Sequence, residues 1–245
     1  MRFGVGVMAR APSSGGKTRL APHLSAPRLR ALRRALLADT LRTVNDLPPS
    51  RAWSRSELRR GKPPGREPSS SLREVIVFVE PGDASAEVEA LSAAPLACVP
   101  QVAGDLGSRM RAAVTHLLET LNCDAAMLVG TDIPLMSADH FDEACEMLLT
   151  VDGVVLGPAA DGGYYLIGMR QVYAELFEGV AWGTSSVLTD TLRVADRAGI
   201  EARLIRAAYD VDTIEDLQRL ENDLRTASPE LAPHVRAWFG AGRVG

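Results

Sequence analysis

The segment AAMLVGTDIP, residues 125–134, is the most informative stretch for the fold, because it is an almost unbroken apolar run that ends at a carboxylate. Such a run is typical of a central parallel strand, which is buried on both faces. Asp132 then lies at the carboxyl end of the strand, and Pro134 prevents the strand from continuing. Hard divalent cations prefer oxygen ligands, so Asp132 is a candidate metal ligand; the alternative is that it only caps the turn.

Apolar runs alternate with amphipathic stretches along the rest of the chain. This alternation predicts an α/β fold, with a mostly parallel sheet covered on both faces, in one domain over residues 1–245. Ligands of such sheets bind at the carboxyl ends of the strands. The predicted strands cover residues 3–9, 73–79, 96–99, 124–130, 152–157 and 164–169. The predicted helices cover residues 26–46, 84–93, 107–121, 138–149, 185–198 and 213–226.

Composition and charge argue against several classes of protein. The formal net charge of −4 gives no general attraction to nucleic acid or to an anionic membrane, so neither is an expected partner. The three cysteines have no metal-site spacing, which is expected of free thiols in a reducing compartment. The apolar stretch 3–9 is too short to span a bilayer. We therefore expect a cytoplasmic protein, either a monomer or a homodimer.

Residues 48–71 break the alternating pattern, because they are rich in Pro, Ser, Gly and Arg and contain almost no apolar side chains. Such a segment cannot bury enough apolar surface to offset the entropy lost on ordering. It is therefore predicted to be a flexible surface insertion, with a basic arm that contacts an anionic partner as the alternative.

The loop APSSGGKTRLAP, residues 11–22, follows the first predicted strand. It fits a loose P-loop pattern in which alanine replaces the leading glycine. Pro12 removes an N–H donor, however, and Pro22 interrupts the helix that a P-loop requires. We predict a simpler phosphate-binding loop in which Lys17 and Arg19 reach the phosphates, and the alternative is an ordinary surface turn.

The acidic segment YDVDTIEDL, residues 209–217, combines two signals. Thr213 and Asp216 have the spacing of a helix N-cap and its partner in the first turn. Asp210 and Asp212 are not needed for that cap, and in an extended chain they point to the same side. Asp212 in particular is a candidate for the second metal carboxylate, with Asp210 beside it.

Two glycine-containing turns offer weaker signals. In QVAGDLGSRM, residues 101–110, the amide of Gln101 has the donor and the acceptor needed to recognise a base edge. In GPAADGGYYLIG, residues 157–168, the Asp-Gly-Gly sequence favours a hairpin. The alternative is a ligand loop in which the ring and hydroxyl of Tyr164 lie at the loop mouth.

Taken in order, these segments resemble the GT-A nucleotide-diphospho-sugar transferase superfamily. Within it, the chain is most similar to the bacterial glycosyltransferase-like family described as radical-SAM/selenodomain-associated transferases. More distant relatives include guanylyltransferases for phospholactate and the molybdenum cofactor, and cytidylyltransferases. The resemblance spans about residues 3–220 and includes one further motif, AWGTSSVL (181–188). The six motifs are GGKTRLAP (15–22), QVAGDLGSRM (101–110), GTDIP (130–134), GPAADGGYYLIG (157–168), AWGTSSVL (181–188) and DVDTIEDL (210–217).

The resemblance implies a Rossmann-like GT-A three-layer α/β/α sandwich and a catalytic Mg²⁺ or Mn²⁺ ion. It implies that Asp132, Asp212 and Asp210 hold the metal, and that the catalytic residues are Asp132, Asp161 and Lys17. It implies a nucleotide or nucleotide-sugar donor and an unidentified small acceptor as partners. The implied substrate-binding residues are Arg10, Lys17, Arg19, Gln101, Gly104, Asp161, Gly162, Gly163, Tyr164 and Trp182.

Several functions are compatible with these residues. The leading hypothesis is transfer of a glycosyl group from a nucleotide-diphospho-sugar, with Asp161 orienting or deprotonating the acceptor hydroxyl. The second is nucleotidyl transfer, which releases pyrophosphate. A P-loop-like nucleotide hydrolase and a noncatalytic nucleotide-binding domain are the alternatives from other classes.

Overall fold

A seven-stranded sheet forms the centre of the protein in a computed structural model that describes residues 1–47 and 73–241. Its spatial order is β3-β2-β1-β4-β6-β5-β7, and every strand is parallel to the others except β6, which pairs antiparallel with β4 and β5. The strands are β1 (Phe3–Arg10), β2 (Arg73–Glu80), β3 (Ala97–Pro100), β4 (Ala125–Val129), β5 (Gly153–Pro158), β6 (Tyr164–Met169) and β7 (Glu201–Leu204). The predicted mostly parallel α/β fold is confirmed.

Helices connect most of these strands, whereas a turn joins β5 to β6. The helices are α1 (Ala26–Asn45), α2 (Ser85–Glu89), α3 (Leu106–Thr115), α4 (Ala138–Thr150), α5 (Val187–Ala198), α6 (Ile214–Asp223) and α7 (Pro233–Ala241). Each predicted strand and helix is present, although α2 is shorter than expected. Strand β7 and helix α7 were not predicted. Strand β7 has only four mostly exposed residues at the sheet edge, so it has no apolar run to reveal it.

The sheet is buried on both faces, and this gives the three layers. On one face, Val5 and Val7 of β1 share an apolar cluster with Leu41 of α1 and Phe141 of α4. On the other face, strand residues including Phe78 and Leu128 pack with α3 and α5. Because alternate residues of one strand point to opposite faces, burial of both faces explains the unbroken apolar sequences of β1 and β4. In the described part of the chain, no helix is both long and apolar enough to cross a membrane.

A third apolar cluster joins the outer side of α1 to α6 and α7. Helix α7 is anchored by the buried carboxylate of Asp39 in α1, which accepts hydrogen bonds from the backbone N–H groups of His234 (3.0 Å) and Val235 (2.9 Å). These N–H groups at the helix start would otherwise have no partner. Docking of α6 on α1 fixes the segment 209–212, which precedes α6 and reaches the carboxyl end of β4. The predicted insertion at 48–71 lies outside the described residues.

Candidate functional site

A cleft of about 600 Å³ opens at the carboxyl ends of β1, β2 and β4. This is the sheet edge at which parallel α/β proteins bind ligands. Its lining combines apolar side chains with charged groups of both signs. The polar and glycine residues that line it are Arg10, Gly15, Gly16, Lys17, Arg33, Glu80, Gln101, Arg109, Gly130, Thr131, Asp132, Tyr164, Tyr165 and Asp212.

The loop after β1 contributes glycines and Lys17 to this cleft. A short 3₁₀ turn at Pro12–Ser14 leads into Gly15 and Gly16, whose φ angles of 101° and 104° suit glycine, and then into Lys17 at φ 52°. A second short turn follows, and α1 begins only at Ala26. Since a P-loop needs a helix that starts at the loop itself, this geometry does not support the P-loop hydrolase alternative.

Lys17 lies between the two carboxylates that were predicted as metal ligands. Its Nζ is 2.9 Å from Oδ1 of Asp132 and 2.9 Å from Oδ1 of Asp212, and it donates a hydrogen bond to the carbonyl of Val211 at 2.6 Å. Burial alone would lower the pKa of this ammonium, but the two carboxylates outweigh burial and raise its pKa above the ordinary value. We call Lys17, Asp132 and Asp212 the lysine cluster.

Backbone contacts explain why two acids about 80 residues apart meet. The N–H of Val211 donates to the carbonyl of Asp132 at 3.1 Å, which holds the segment before α6 against the end of β4. Thr213 is the N-cap of α6, and Asp216 accepts hydrogen bonds from the N–H groups of Thr213 (2.8 Å) and Asp212 (3.1 Å). The predicted capping box is confirmed, and it leaves the side chain of Asp212 free to contact Lys17.

The lysine cluster meets part of what a divalent metal requires. The Oδ1 atoms of Asp132 and Asp212 each lie 2.9 Å from one nitrogen, so they are no more than twice that distance apart. The side chains are 50% and 36% exposed, which leaves oxygen available to the cleft. No group of three or more His, Cys, Asp or Glu residues in the described ranges is placed to hold an ion. Two carboxylates would fit a Mg²⁺-type ion only if phosphate oxygens of a ligand, or water, supplied the remaining oxygen ligands.

The opposite arrangement of charge is found around Glu80, which the sequence analysis missed. Its Oε2 is 3.0 Å from a guanidinium nitrogen of Arg10 and 2.6 Å from one of Arg109. Burial alone would raise the pKa of Glu80, but the hydrogen bonds and charges of the two arginines lower it below the ordinary value. We call Arg10, Glu80 and Arg109 the glutamate cluster. Arg109 lies inside the quoted motif 101–110, so attention to its guanidinium could have found it.

Gln101 also lines the cleft, but most of its hydrogen-bonding capacity is already used. Its Nε2 donates to the carbonyl of Phe78 at 2.8 Å and to that of Ala9 at 3.1 Å, so the amide ties together the ends of β1 and β2. Only its side-chain oxygen remains to accept a hydrogen bond from a base. The predicted contact with a base stays a prediction in this narrower form.

The β5–β6 turn is tightly packed and leads into Tyr164, which lines the cleft. Asp161 accepts a hydrogen bond from the N–H of Gly163 at 2.8 Å. A Cβ at Gly162 would lie 2.1 Å from the carbonyl oxygen of Ser185, so glycine is required for the turn to pack against the segment before α5. This close packing explains Gly162 without a ligand.

Tyr164 lines the cleft with its ring, and the ring packs edge-to-face against Trp182 at a centroid distance of 6.5 Å. Its hydroxyl is buried beside Thr191, and burial raises the pKa of this hydroxyl although the contact with Thr191 partly opposes the shift. The expectation that this hydroxyl lies at a loop mouth is therefore corrected. The following residue, Tyr165, donates its own hydroxyl to the carbonyl of Arg206 at 3.0 Å.

Some predicted residues lie outside the cleft lining. Asp161 and Asp210 are electrostatic neighbours, since burial and the charge of Asp161 raise the pKa of Asp210 to about 6. Arg19 is exposed in the turn that follows Lys17, and Gly104 is exposed before α3. The residues outside the lining are Arg19, Gly104, Asp161, Gly162, Gly163, Trp182 and Asp210.

Comparison with known proteins extends this description. Residues 68–184 match the model of a family described as "Uncharacterized protein conserved in bacteria (DUF2064)". No curated protein sequence matches the chain. Several solved structures have a similar fold over nearly the whole chain.

One such structure is a Desulfovibrio desulfuricans protein described as a nucleotide-diphospho-sugar transferase. It is 24% identical, with 97% of this chain and 95% of that chain covered and a TM-score of 0.78. CMP:2-keto-3-deoxy-manno-octonic acid synthetase in complex with CTP is 12% identical, with coverages of 92% and 99% and a TM-score of 0.56. A Mycobacterium tuberculosis protein, Rv0371c, in complex with manganese is 14% identical, with coverages of 89% and 97% and a TM-score of 0.50.

At these identities the likeness concerns the fold alone, and it does not test the assignment to the radical-SAM/selenodomain-associated family. That narrower assignment stays a prediction. The chain has the α/β fold that is shared by structures described as a nucleotide-diphospho-sugar transferase and a CMP:2-keto-3-deoxy-manno-octonic acid synthetase.

Proposed function

We propose that this chain is a single-domain, metal-dependent cytoplasmic transferase that moves a glycosyl group from a nucleotide-diphospho-sugar to a small acceptor. The observation that carries the proposal is the lysine cluster, in which Lys17 lies between Asp132 and Asp212 at the wall of the cleft. Two carboxylates and a fixed ammonium suit a metal-bound diphosphate, because one such ligand supplies both the cation and the anion. The fold of the transferase from D. desulfuricans supports the same class.

The chain's own residues can perform the steps that such a transfer requires. Asp132 and Asp212, with Asp210 beside them, would hold Mg²⁺ or Mn²⁺, which supplies charge neutralisation to the departing diphosphate. Lys17 is 5% exposed, so its ammonium is fixed before substrate arrives. A fixed charge of this kind costs no reorganisation during the reaction. Arg10 and Arg19 would bind the outer phosphate oxygens.

The acceptor would lie towards the β5–β6 turn. Asp161 is the candidate to orient the acceptor hydroxyl or accept its proton, because its second carboxylate oxygen makes no hydrogen bond among the described residues. Gly162, Gly163, Tyr164 and Trp182 would form the wall on that side. Gln101 and Gly104 would border the base of the donor.

Nucleotidyl transfer is the second candidate, and the fold of the CTP-bound synthetase favours it. The same lysine cluster would then serve attack on the α-phosphate of a nucleoside triphosphate. The two reactions differ in the product, since glycosyl transfer releases a nucleoside diphosphate whereas nucleotidyl transfer releases pyrophosphate.

A two-step experiment tests the proposal. A thermal-shift panel of nucleotides and nucleotide sugars, with and without Mn²⁺, first identifies the donor, because a ligand of the native state raises its apparent stability. Product analysis with that donor then separates the reactions. We expect a metal-dependent shift and nucleoside diphosphate release, both lost in Asp132→Asn and retained in the exposed control Asp196→Asn. The absence of any metal-dependent shift with the wild type would refute the proposal, and pyrophosphate release would select the second candidate.

A further inference from the structure

The positive side chains in the cleft differ in how they are paired. Lys17 is shared by two carboxylates, and Arg10 and Arg109 share Glu80. Arg33 of α1 also lines the cleft, yet it has no hydrogen bond or ion pair with any of the residues that the structure describes. Among the described cations that line the cleft, Arg33 is therefore the one that makes no ion pair.

The surroundings of Arg33 make an unpaired guanidinium unfavourable for the stability of the fold. Its Nε atom is buried without a hydrogen-bond acceptor. Burial and the nearby charge of Arg30 lower the pKa of its guanidinium, and the carboxylate of Glu87 opposes them only in part. Glu87 is itself engaged, since it accepts hydrogen bonds from the N–H of Ser13 at 3.1 Å and from the hydroxyl of Ser13. A buried donor without an acceptor destabilises the fold, so an acceptor from outside the chain would relieve the cost.

The glycine turn keeps space open beside this guanidinium. A Cβ at position 15 would lie 3.9 Å from Nη1 of Arg33, so a longer side chain on Gly15 would occupy the space next to the charge. The backbone N–H groups of Gly15 and Gly16 also donate to no acceptor within the described ranges. Several unused donors thus lie together at one place in the cleft.

We propose that Arg33 binds a phosphate group of the substrate beside the Gly15–Gly16 turn. A guanidinium offers paired N–H donors that match two oxygens of one phosphate, and backbone N–H groups can bind the remaining oxygens. The inference rests on the proposed function, and it adds a phosphate-binding residue that no sequence motif indicated. The phosphate can belong either to the nucleotide donor or to a phosphorylated acceptor.

The test compares Arg33→Gln, Arg33→Lys and the control Arg34→Gln, which removes an equal charge from an exposed position next along α1. Binding to each variant is measured with four probes: a nucleoside, its diphosphate, its triphosphate and inorganic phosphate. Arg33→Gln should weaken binding of phosphate-bearing probes by about ten- to a hundredfold. It should leave nucleoside binding unchanged, Arg33→Lys should be intermediate, and Arg34→Gln should behave as wild type. The ligand-free Arg33→Gln protein should be as stable as wild type or more stable.

The probes separate the two sources of the phosphate. Loss of nucleotide binding assigns the phosphate to the donor, whereas loss of inorganic phosphate binding with unchanged nucleotide binding assigns it to the acceptor. Equal affinities of wild type and Arg33→Gln for all phosphate-bearing probes would overturn the inference while leaving the proposed transferase intact. If inorganic phosphate binding depends on Arg33 but no nucleotide binds the wild type, the proposed function fails and the anion site stands.

Discussion

The lysine cluster and the glutamate cluster have opposite charge patterns within one cleft. In the lysine cluster a single ammonium lies between two carboxylates, which leaves one negative charge. In the glutamate cluster one carboxylate lies between two guanidinium groups, which leaves one positive charge. Each cluster is internally paired, and each retains a surplus charge towards the cleft. A metal-bound phosphate chain carries both signs of charge. The negative lysine cluster complements the metal, and the positive glutamate cluster complements the phosphates.

The two clusters also differ in rigidity. Lys17 is 5% exposed and is held by a backbone carbonyl as well as by side chains. Arg10 is 54% exposed and is held in its cluster only through Glu80, whereas Arg109 also donates to the backbone carbonyl of Gly104 at 3.0 Å. We infer that the lysine cluster is preorganised, whereas the glutamate cluster can release Arg10 to a ligand. The following predictions test this difference.

The largest effect is expected from Lys17→Met. Loss of a preorganised charge next to the departing diphosphate should lower turnover about a hundred- to a thousandfold. Without the ammonium, Asp132 and Asp212 repel each other and have no counter-charge, so Mn²⁺ should bind the nucleotide-free variant more tightly than it binds wild type. Isothermal titration with Mn²⁺ and a turnover assay measure the two effects. Weaker Mn²⁺ binding would show that Lys17 organises the carboxylates rather than competing with the metal.

The pairing of Asp132 with Asp212 could be anticipated from sequence, because each lies beside a recognisable local signal. One follows an apolar strand, and the other precedes a capping box that uses Thr213 and Asp216. The position of Lys17 between them could not be anticipated. It depends on the fold of a loop with two glycines, and on a contact with Asp212, which is 195 residues away in sequence.

The glutamate cluster and Arg33 show a second limit of sequence analysis. Glu80 and Arg10 face each other because β1 and β2 pair in a register that aligns these residues, which no local pattern encodes. Arg33 lies in a helix with many arginines, where basic residues normally form a solvated face. Its importance depends on the missing partner, which only the tertiary structure reveals.

A moderate effect is expected from Glu80→Gln, which releases Arg10 and Arg109. Affinity for a nucleoside diphosphate should rise, by up to about tenfold, because two cations no longer share an internal carboxylate. The affinity difference between the variant and wild type should persist as the pH is lowered, until the pH falls through the pKa of Glu80. That pKa is lower than the pKa of an ordinary carboxyl. Titrations at low and high salt from pH 7 to pH 4 measure it. Weaker nucleotide binding would mean that Glu80 itself contacts the ligand.

The smallest effect is expected from Asp210→Asn. This variant tests whether the carboxylates near the lysine cluster lower the stability of the fold when no metal is present. Burial and the charge of Asp161 raise the pKa of Asp210 to about 6, against about 3.9 in an unfolded chain. The protonated carboxyl is therefore favoured by the fold, and the stability it contributes is lost as the pH rises from about 4 through 6.

In EDTA at pH 8 the variant Asp210→Asn should accordingly be more stable than wild type, by about 1 kcal/mol, because partial exposure reduces the full linkage effect. The gain should be much smaller at pH 4, where Asp210 is protonated in the fold and about half protonated in the unfolded chain, and Mn²⁺ at pH 8 should reduce it by restoring a counter-charge. Urea unfolding at the two pH values measures both changes. An equal gain at pH 4 would assign the effect to packing instead of charge, and the surplus negative charge would then have to reside on Asp132 and Asp212 alone.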